Sequence, residues 1–317
     1  MSLCVFLLLI SGYLFAQPII SYGEERRYKD KVVYEEQSKY QKIIITQSKE
    51  DFWLFINGNQ QLSSIDEVMY HEPLVHPVMR LSKNPTDILV MGGGDGGAVR
   101  EILKYPSVKN ITLVDLDPAM TALGQQNDLL VEMNQNSMNH EKLTIINEDG
   151  YNFLEDHNSY YDVIIIDLPD PKTVEIGRLY SYEFYKLCYK KLRPHGLVIT
   201  QAGSPYYAAR AFNCIDKTMK TTGFNTVPLH NQVMTLGEWG WVLGGKDSSP
   251  TQLVTALQGL DFDNPKIETR WINHDAMTLI TSFGKELFEN DTSNIEVNKI
   301  HNPVLYKYYL DGKWDVY

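Results

Sequence analysis

A doubly wound α/β domain preceded by a small antiparallel β-domain is the fold class this sequence predicts, on three observations. Short apolar runs at 88–91, 111–115, 143–147, 161–167 and 196–201 alternate with helix-patterned stretches at 96–104, 118–131, 150–155, 180–192 and 206–222. That alternation marks a parallel sheet flanked by helices. The first run ends in Gly92-Gly93-Gly94-Asp95-Gly96-Gly97 and passes straight into a helix pattern, as a strand, tight turn and helix start would. Upstream, Val32-Val33-Tyr34, then 40–46, then 52–56 alternate in strand fashion, with turn residues at 47–49 and 57–59.

In chain order the expected divisions are an apolar segment 1–22, a small β-domain 23–80, a Rossmann-like domain 81–250 and a helical extension 251–317. The 317 residues suffice for a full core. The apolar segment is densest from Leu3 to Ala16, short for a full membrane span, and lacks the leading basic residue and cleavage site of a signal peptide. Arg26, Arg27, Lys29 and Lys31 follow it and would hold the rest of the chain in the cytoplasm, anchored at the membrane. A buried N-terminal helix is the alternative. Residues 64–72 begin like a capped helix, with Tyr70 and His71 near its far end. A net charge of -11 argues against nucleic acid and suits a cationic ligand. Cys4, Cys188 and Cys214 are too few and too scattered for a disulfide framework or a zinc site.

In such a sheet, ligands bind beyond the carboxyl ends of the strands. Acidic and polar residues collect there: Asp95, Asp115, the trio Glu148-Asp149-Gly150, Asp167 and Gln201. The glycine turn permits close approach of a ligand to the main chain, and Asp115, with Asp117 two residues on, lies where an acid receives ribose hydroxyls. These features predict a nucleoside site. Asp95 argues against a pyrophosphate cofactor, because a carboxylate inside the turn repels phosphates that helix N-termini otherwise attract. It would also meet the carboxylate of S-adenosylmethionine badly, and pair well with the bare amine of the decarboxylated form. The alternative is that Asp95 caps the helix.

The stretch Tyr161-Asp162-Val163-Ile164-Ile165-Ile166-Asp167-Leu168-Pro169-Asp170-Pro171 reads as a buried strand that delivers Asp167 to its end, with Asp170 held in a proline-stiffened turn. Two carboxylates so placed can hold an ammonium and accept its proton. A primary amine titrates near 10, like lysine, so it arrives protonated and needs such a base. The alternative gives Asp167 a capping role and Asp170 a turn role.

Seven motifs then stand in one order: Ser38-Lys39-Tyr40-Gln41; Gly58-Asn59-Gln60-Gln61 with Asp66-Glu67; Tyr70-His71-Glu72; the glycine turn; Val114-Asp115-Leu116-Asp117; Glu148-Asp149-Gly150; and 167–171. Together they closely resemble the polyamine aminopropyltransferases, the spermidine synthases, over residues 28–245. The tail, with Glu296-Val297-Asn298 and Asn302-Pro303-Val304-Leu305, looks like the bacterial long-form branch, in which this domain follows membrane helices. The resemblance implies a methyltransferase-like fold and transfer of an aminopropyl group from decarboxylated S-adenosylmethionine to a polyamine, with putrescine the expected acceptor, giving spermidine and methylthioadenosine. It implies that Gln41, Asp115, Asp149 and Gly150 bind the adenosine moiety, Asp115 at the ribose and Asp149 at the adenine amino group. His71, Asp95, Asp167 and Asp170 would contact the aminopropyl chain or the polyamine, with Gln61 and Tyr70 close by and Asp167 as proton acceptor. Neither a metal nor a redox cofactor is needed, and a homo-oligomer, commonly a dimer assembled through the small sheet, is implied.

The sequence departs from the family pattern at four places. Asp115 stands where glutamate is common, Leu168-Pro169 where small hydroxyl residues are common, and Val174 where a proline often lines the thioadenosine pocket. Met234-Thr235 replaces a Tyr-Pro pair, so a tyrosine usually thought to guide the amine is absent. The aromatic tail 306–317 reads as packing or interface. Two other functions fit the residues: an S-adenosylmethionine-dependent amine methyltransferase, and a non-catalytic polyamine or nucleoside sensor.

Overall fold

A computed structural model of the chain describes residues 28–262, 267–284 and 292–314. It divides into two compact units, one ending at Ile65 and one beginning at Asp66. The apolar segment 1–22 lies outside the described residues, among which no helix is long and apolar enough to cross a membrane.

The smaller unit is a four-stranded antiparallel meander: β1 (Lys31–Gln37), β2 (Lys42–Ser48), β3 (Asp51–Ile56) and β4 (Asn59–Ser63). The expected alternation runs through all seven residues of β1 and through the first four of β3, where Phe52 and Leu54 are buried. β4 was not anticipated, because its Gln60 and Gln61 have no apolar alternation to announce it. Asn57 and Gly58, both at positive φ, make the tight turn that pairs β4 with β3.

The larger unit holds a seven-stranded sheet in the order β10-β11-β9-β8-β5-β6-β7. Its parallel part is β5 (Asp87–Gly92), β6 (Asn110–Val114), β7 (Leu143–Ile146), β8 (Tyr161–Asp167) and β9 (Leu192–Gly203). Their near-continuous Val, Ile and Leu runs reflect burial on both faces. The sheet is not parallel throughout, as the sequence reading had it. β10 (Asn225–Val233) and β11 (Gly237–Gly245) form an antiparallel hairpin joined to β9. Pro228, Gly240 and Gly244 interrupt the strand pattern there and hid the hairpin.

The helices are α1 (Val68–Leu81), α2 (Gly97–Leu103), α3 (Pro118–Gln126), α4 (Asp128–Met133), α5 (Gly150–Asp156), α6 (Val174–Gly177), α7 (Tyr182–Lys191), α8 (Ala209–Thr222), α9 (Pro250–Gln258), α10 (His274–Ile280) and α11 (Leu305–Leu310). Three expectations are corrected here. The unit boundary falls after Ile65 rather than at 80, so α1 belongs with the large sheet. The helix expected over 118–131 breaks at Asn127, whose side chain accepts from the amides of Leu129 and Leu130 and starts α4. Tyr70 and His71 lie in the first turn of α1, not near its end, because the helix runs on through Pro73 and Pro77. A proline at 73 frees the carbonyl four residues earlier, and Asn231 Nδ2 donates to that Met69 carbonyl at 2.8 Å.

Candidate active site

The parallel register sets Gly92 of β5 opposite Asp167 of β8, which brings the glycine turn and the first candidate carboxylate together at the carboxyl end of the sheet. This is the switch point from which the strand order runs both ways, the expected ligand position in such sheets. A Cβ on Gly92 would lie 2.1 Å from the Asp167 carbonyl oxygen, and φ there is +78°, so the turn admits only glycine.

Four of the predicted side chains meet at this point. The Tyr70 hydroxyl donates to Asp167 Oδ1 at 2.6 Å. His71 Nε2 lies 3.4 Å from Asp95 Oδ1, which also accepts the Gly97 amide at 2.7 Å. Asp95 therefore does both things the sequence left open: it caps the start of α2 and it carries charge into the site. The His71 ring lies edge-on to Tyr70.

Behind the site lies a row of buried charges that the sequence reading assigned no role. His71 Nδ1 sits 2.7 Å from Glu67 Oε2, and Glu67 receives both terminal nitrogens of Arg100 at 2.9 and 2.8 Å. Arg100 Nε continues to Glu101 at 2.7 Å, and Glu101 accepts from His76 at 2.8 Å. Burial alone would lower the His71 pKa; its hydrogen bonds and attraction to Asp95 and Glu67 outweigh this and raise it to about 10. His71 is thus an imidazolium. The same pairing pulls the Asp95 carboxyl below its ordinary value against the opposing effect of burial.

Asp167 behaves oppositely. Burial first, and then the Asp95 charge, push its pKa up to about 6, although His71 and Tyr70 pull the other way. With Glu67 and Arg100 cancelling, His71, Asp95 and an ionised Asp167 leave one negative charge in excess, which an arriving ammonium neutralises. Ligand atoms of His71, Asp95 and Asp167 lie within 4.8 Å of one another, a separation a metal could bridge. Both His71 ring nitrogens are already engaged, Nδ1 by Glu67 and Nε2 toward Asp95. The second such trio, Glu72, His76 and Glu101, is also spent on hydrogen bonds: Glu72 accepts from the amides of Arg270, Trp271 and Ile272.

Along the same edge, Asp115 accepts the Asp117 amide at 2.9 Å, and burial raises its pKa to about 6. Asp117, read as a second ribose candidate, is instead buried and caps α3 through the Ala119 amide at 3.0 Å. Asp149 Oδ1 caps α5, and its Oδ2 accepts from Arg178 at 2.5 Å. Oδ1 is thus filled by two amides, while Oδ2, beside Arg178, can still accept one more donor. Gly150 opens α5, where an added Cβ would lie 3.4 Å from Met91 Sδ. Asp149 borders a cavity of about 470 Å³ whose wall is largely apolar, with Leu116, Val174, Ile176 and Pro303.

Asp170 Oδ2 accepts from the Tyr309 hydroxyl at 2.6 Å. Tyr309 belongs to the aromatic tail; its ring is buried in the core, as the packing reading expects, and its hydroxyl in addition meets Asp170. The 168–170 turn is propped by Gln201, whose Nε2 donates to the Leu168 carbonyl at 2.8 Å, and by the Tyr180 hydroxyl 3.1 Å from the Pro169 carbonyl. Gln41 and Gln61 lie in the smaller unit, Gln41 in the β1–β2 turn and Gln61 on β4. Arg100 and Arg178 carry no sign in the sequence because they meet Glu67 and Asp149 from 33 and 29 residues away, whereas Glu67 stands one helical turn before His71. An Asp66-Glu67 pair ahead of Tyr70-His71 was the one available sign.

A family model for the spermine/spermidine synthase domain matches residues 67–254, which contain every strand of the large sheet and the whole Tyr70–His71–Asp95–Asp167 cluster. The chain belongs to the spermine/spermidine synthase family. Among its relatives are a polyamine aminopropyltransferase of Oceanobacillus iheyensis, 38% identical over 98% of this chain, and one of Leptospira interrogans, 38% identical over 99%. The chain spans 59% and 60% of the lengths of these two relatives. Among solved structures, it is similar to a spermidine synthase in complex with the transition-state analogue AdoDATO, with TM-score 0.71 and 26% identity over 80% of this chain and 85% of that one. The spermidine synthase of Thermotoga maritima gives a TM-score of 0.70 at 26% identity over 80% of this chain and 84% of that one. Family membership agrees with the expected fold: a small antiparallel sheet followed by a methyltransferase-like domain.

Proposed function

We propose that the protein transfers an aminopropyl group from decarboxylated S-adenosylmethionine to a diamine, putrescine first among them. The observation that carries this reading is the Tyr70–His71–Asp95–Asp167 cluster, which pairs a permanently charged imidazolium with a carboxylate whose pKa is raised. Asp167 takes one proton from the near ammonium of the acceptor, and the freed amine attacks the carbon next to the sulfonium in line. The C–N bond forms as the C–S bond breaks, methylthioadenosine leaves uncharged, and the new secondary ammonium keeps its remaining protons. The donor is activated by its own charge, so the protein contributes alignment and deprotonation. Asp115 is the ribose acceptor, and the cavity beside Asp149 and Val174 takes the thioadenosine. This route requires no metal or redox cofactor.

The reading sets a pH dependence. Asp167 must be ionised to act, so kcat/KM is expected to fall as pH drops through about 6. The expected measurement is a pH–rate profile whose acid limb disappears when Asp167→Asn removes the residual base. An acid limb that stays at the ordinary carboxylate position near 4 would assign the titration to another group.

The deciding experiment follows methylthioadenosine release from decarboxylated S-adenosylmethionine with putrescine, cadaverine, agmatine and spermidine in turn. Release that depends on one amine establishes the reaction and names the acceptor. Methyl transfer from S-adenosylmethionine would indicate the methyltransferase, and donor binding without turnover the sensor. We also propose that segment 1–22 tethers the chain to the membrane with the larger unit on the cytoplasmic side, as the basic residues after it favour, and that the small sheet mediates a homodimer.

A further inference from the structure

Resting on that reading, we propose that Tyr309, on the C-terminal helix, is a specificity-determining residue for the amine that acts through Asp170. Its hydroxyl donates to Asp170 Oδ2, while Asp170 Oδ1 is buried with no hydrogen-bond partner among the described residues. Lys172 Nζ lies 3.8 Å from the same Oδ2, over the Tyr309 ring, so the lysine and the phenol share one oxygen while the buried Oδ1 keeps its lone pairs for an arriving ammonium.

The phenol is held from several sides. Gly203, at φ +69°, leaves room for the ring, whose edge would lie 3.5 Å from a Cβ there. The Trp314 ring packs on Tyr309 at 4.7 Å, and its Nε1 donates to the Tyr309 carbonyl at 2.8 Å. Asn298 fixes the start of α11, since its Oδ1 accepts the amides of Val304 and Leu305 while its Nδ2 donates to the Gly177 carbonyl at 2.8 Å. The helix that carries Tyr309 is thereby tied to the wall of the cavity beside Asp149. The other tyrosine on the site, Tyr70, is spent on Asp167, and the Met234-Thr235 loop is spent on Asp66, which accepts both the amide and the hydroxyl of Thr235. Among the described residues this leaves Tyr309 as the phenol on Asp170.

The test compares wild type, Tyr309→Phe, Asp170→Asn and the double variant, with separate KM values for donor and amine and relative kcat/KM across diamines of three to six carbons. Tyr309→Phe keeps the ring and its packing, so the fold is retained. The expected result is an amine KM raised about tenfold, the strength of one hydrogen bond to a charged group, with an unchanged donor KM and weakened discrimination among chain lengths. The double variant is expected to be no worse in amine KM than Asp170→Asn alone, because Tyr309 acts through Asp170. An unchanged amine KM and length profile in an active Tyr309→Phe enzyme overturns the proposal and leaves the aminopropyl-transfer reading standing. A wild-type protein that releases no methylthioadenosine with any amine withdraws both.

Discussion

Asp167→Asn is expected to lower turnover by about 10²–10⁴-fold, the usual contribution of a positioned general base, while donor binding stays within a few-fold of wild type. The amide keeps the size of the carboxylate and can still accept from the Tyr70 hydroxyl, so the loss falls on proton removal rather than on the shape of the site. Single-turnover release of methylthioadenosine gives the chemical step, and calorimetric titration with the donor gives its affinity. Near-normal turnover in this variant would falsify the role of Asp167 as base. A matching loss of donor affinity would instead make it a binding residue. The site chose this carboxylate by burial and by a like charge. Asp95 is held ionised by His71, and its negative charge raises the pKa of Asp167. Neighbouring carboxylates whose pKa values are driven apart have divided roles.

Glu67→Gln is expected to cost about 3–5 kcal/mol of stability, as loss of one partner from a buried ion pair does. Glu67, His71 and Arg100 are all buried. Glutamine cannot answer the bidentate guanidinium and the imidazolium together, and the row loses one negative charge, with only Glu101 left to Arg100 and Asp95 to His71. Urea unfolding measures the loss. Nuclear magnetic resonance titration of His71 in the same variant is expected to show a pKa well below its wild-type position, because the Glu67 hydrogen bond and charge both hold it up. A loss under about 1 kcal/mol, the range of exposed pairs, would show that packing rather than charge keeps α1 in place. The two substitutions act on opposite sides of His71: Asp167 is the proposed base, while Glu67 orients and charges the histidine from behind.

Much of the site was legible because it sits at strand ends, where local sequence and topology coincide. A strand such as 161–167 is visible as an apolar run, its last residue is at the carboxyl end by definition, and the rule for open sheets sends the ligand there. Asp95, Asp115 and Asp167 follow from that logic alone. Asp149 shows its limit: the end of a strand can be read, but not that Arg178 pairs with the carboxylate.

What the sequence by itself determined is the order of the five parallel strands, the glycine turn and the set of acids beyond those strands, since each depends on residues close together in the chain. Only the tertiary structure decided that β10 and β11 run antiparallel, that α1 continues past Pro73 and Pro77 with His71 at its start, and that Tyr309 reaches Asp170 across 139 residues. Each of those outcomes rests on a partner far away in sequence: β9 for the hairpin, Asn231 for the carbonyl that Pro73 frees, Arg100 for Glu67 and Asp170 for Tyr309. Local propensity is blind to such pairs, because the energy that fixes them appears only once folding has removed water from both members.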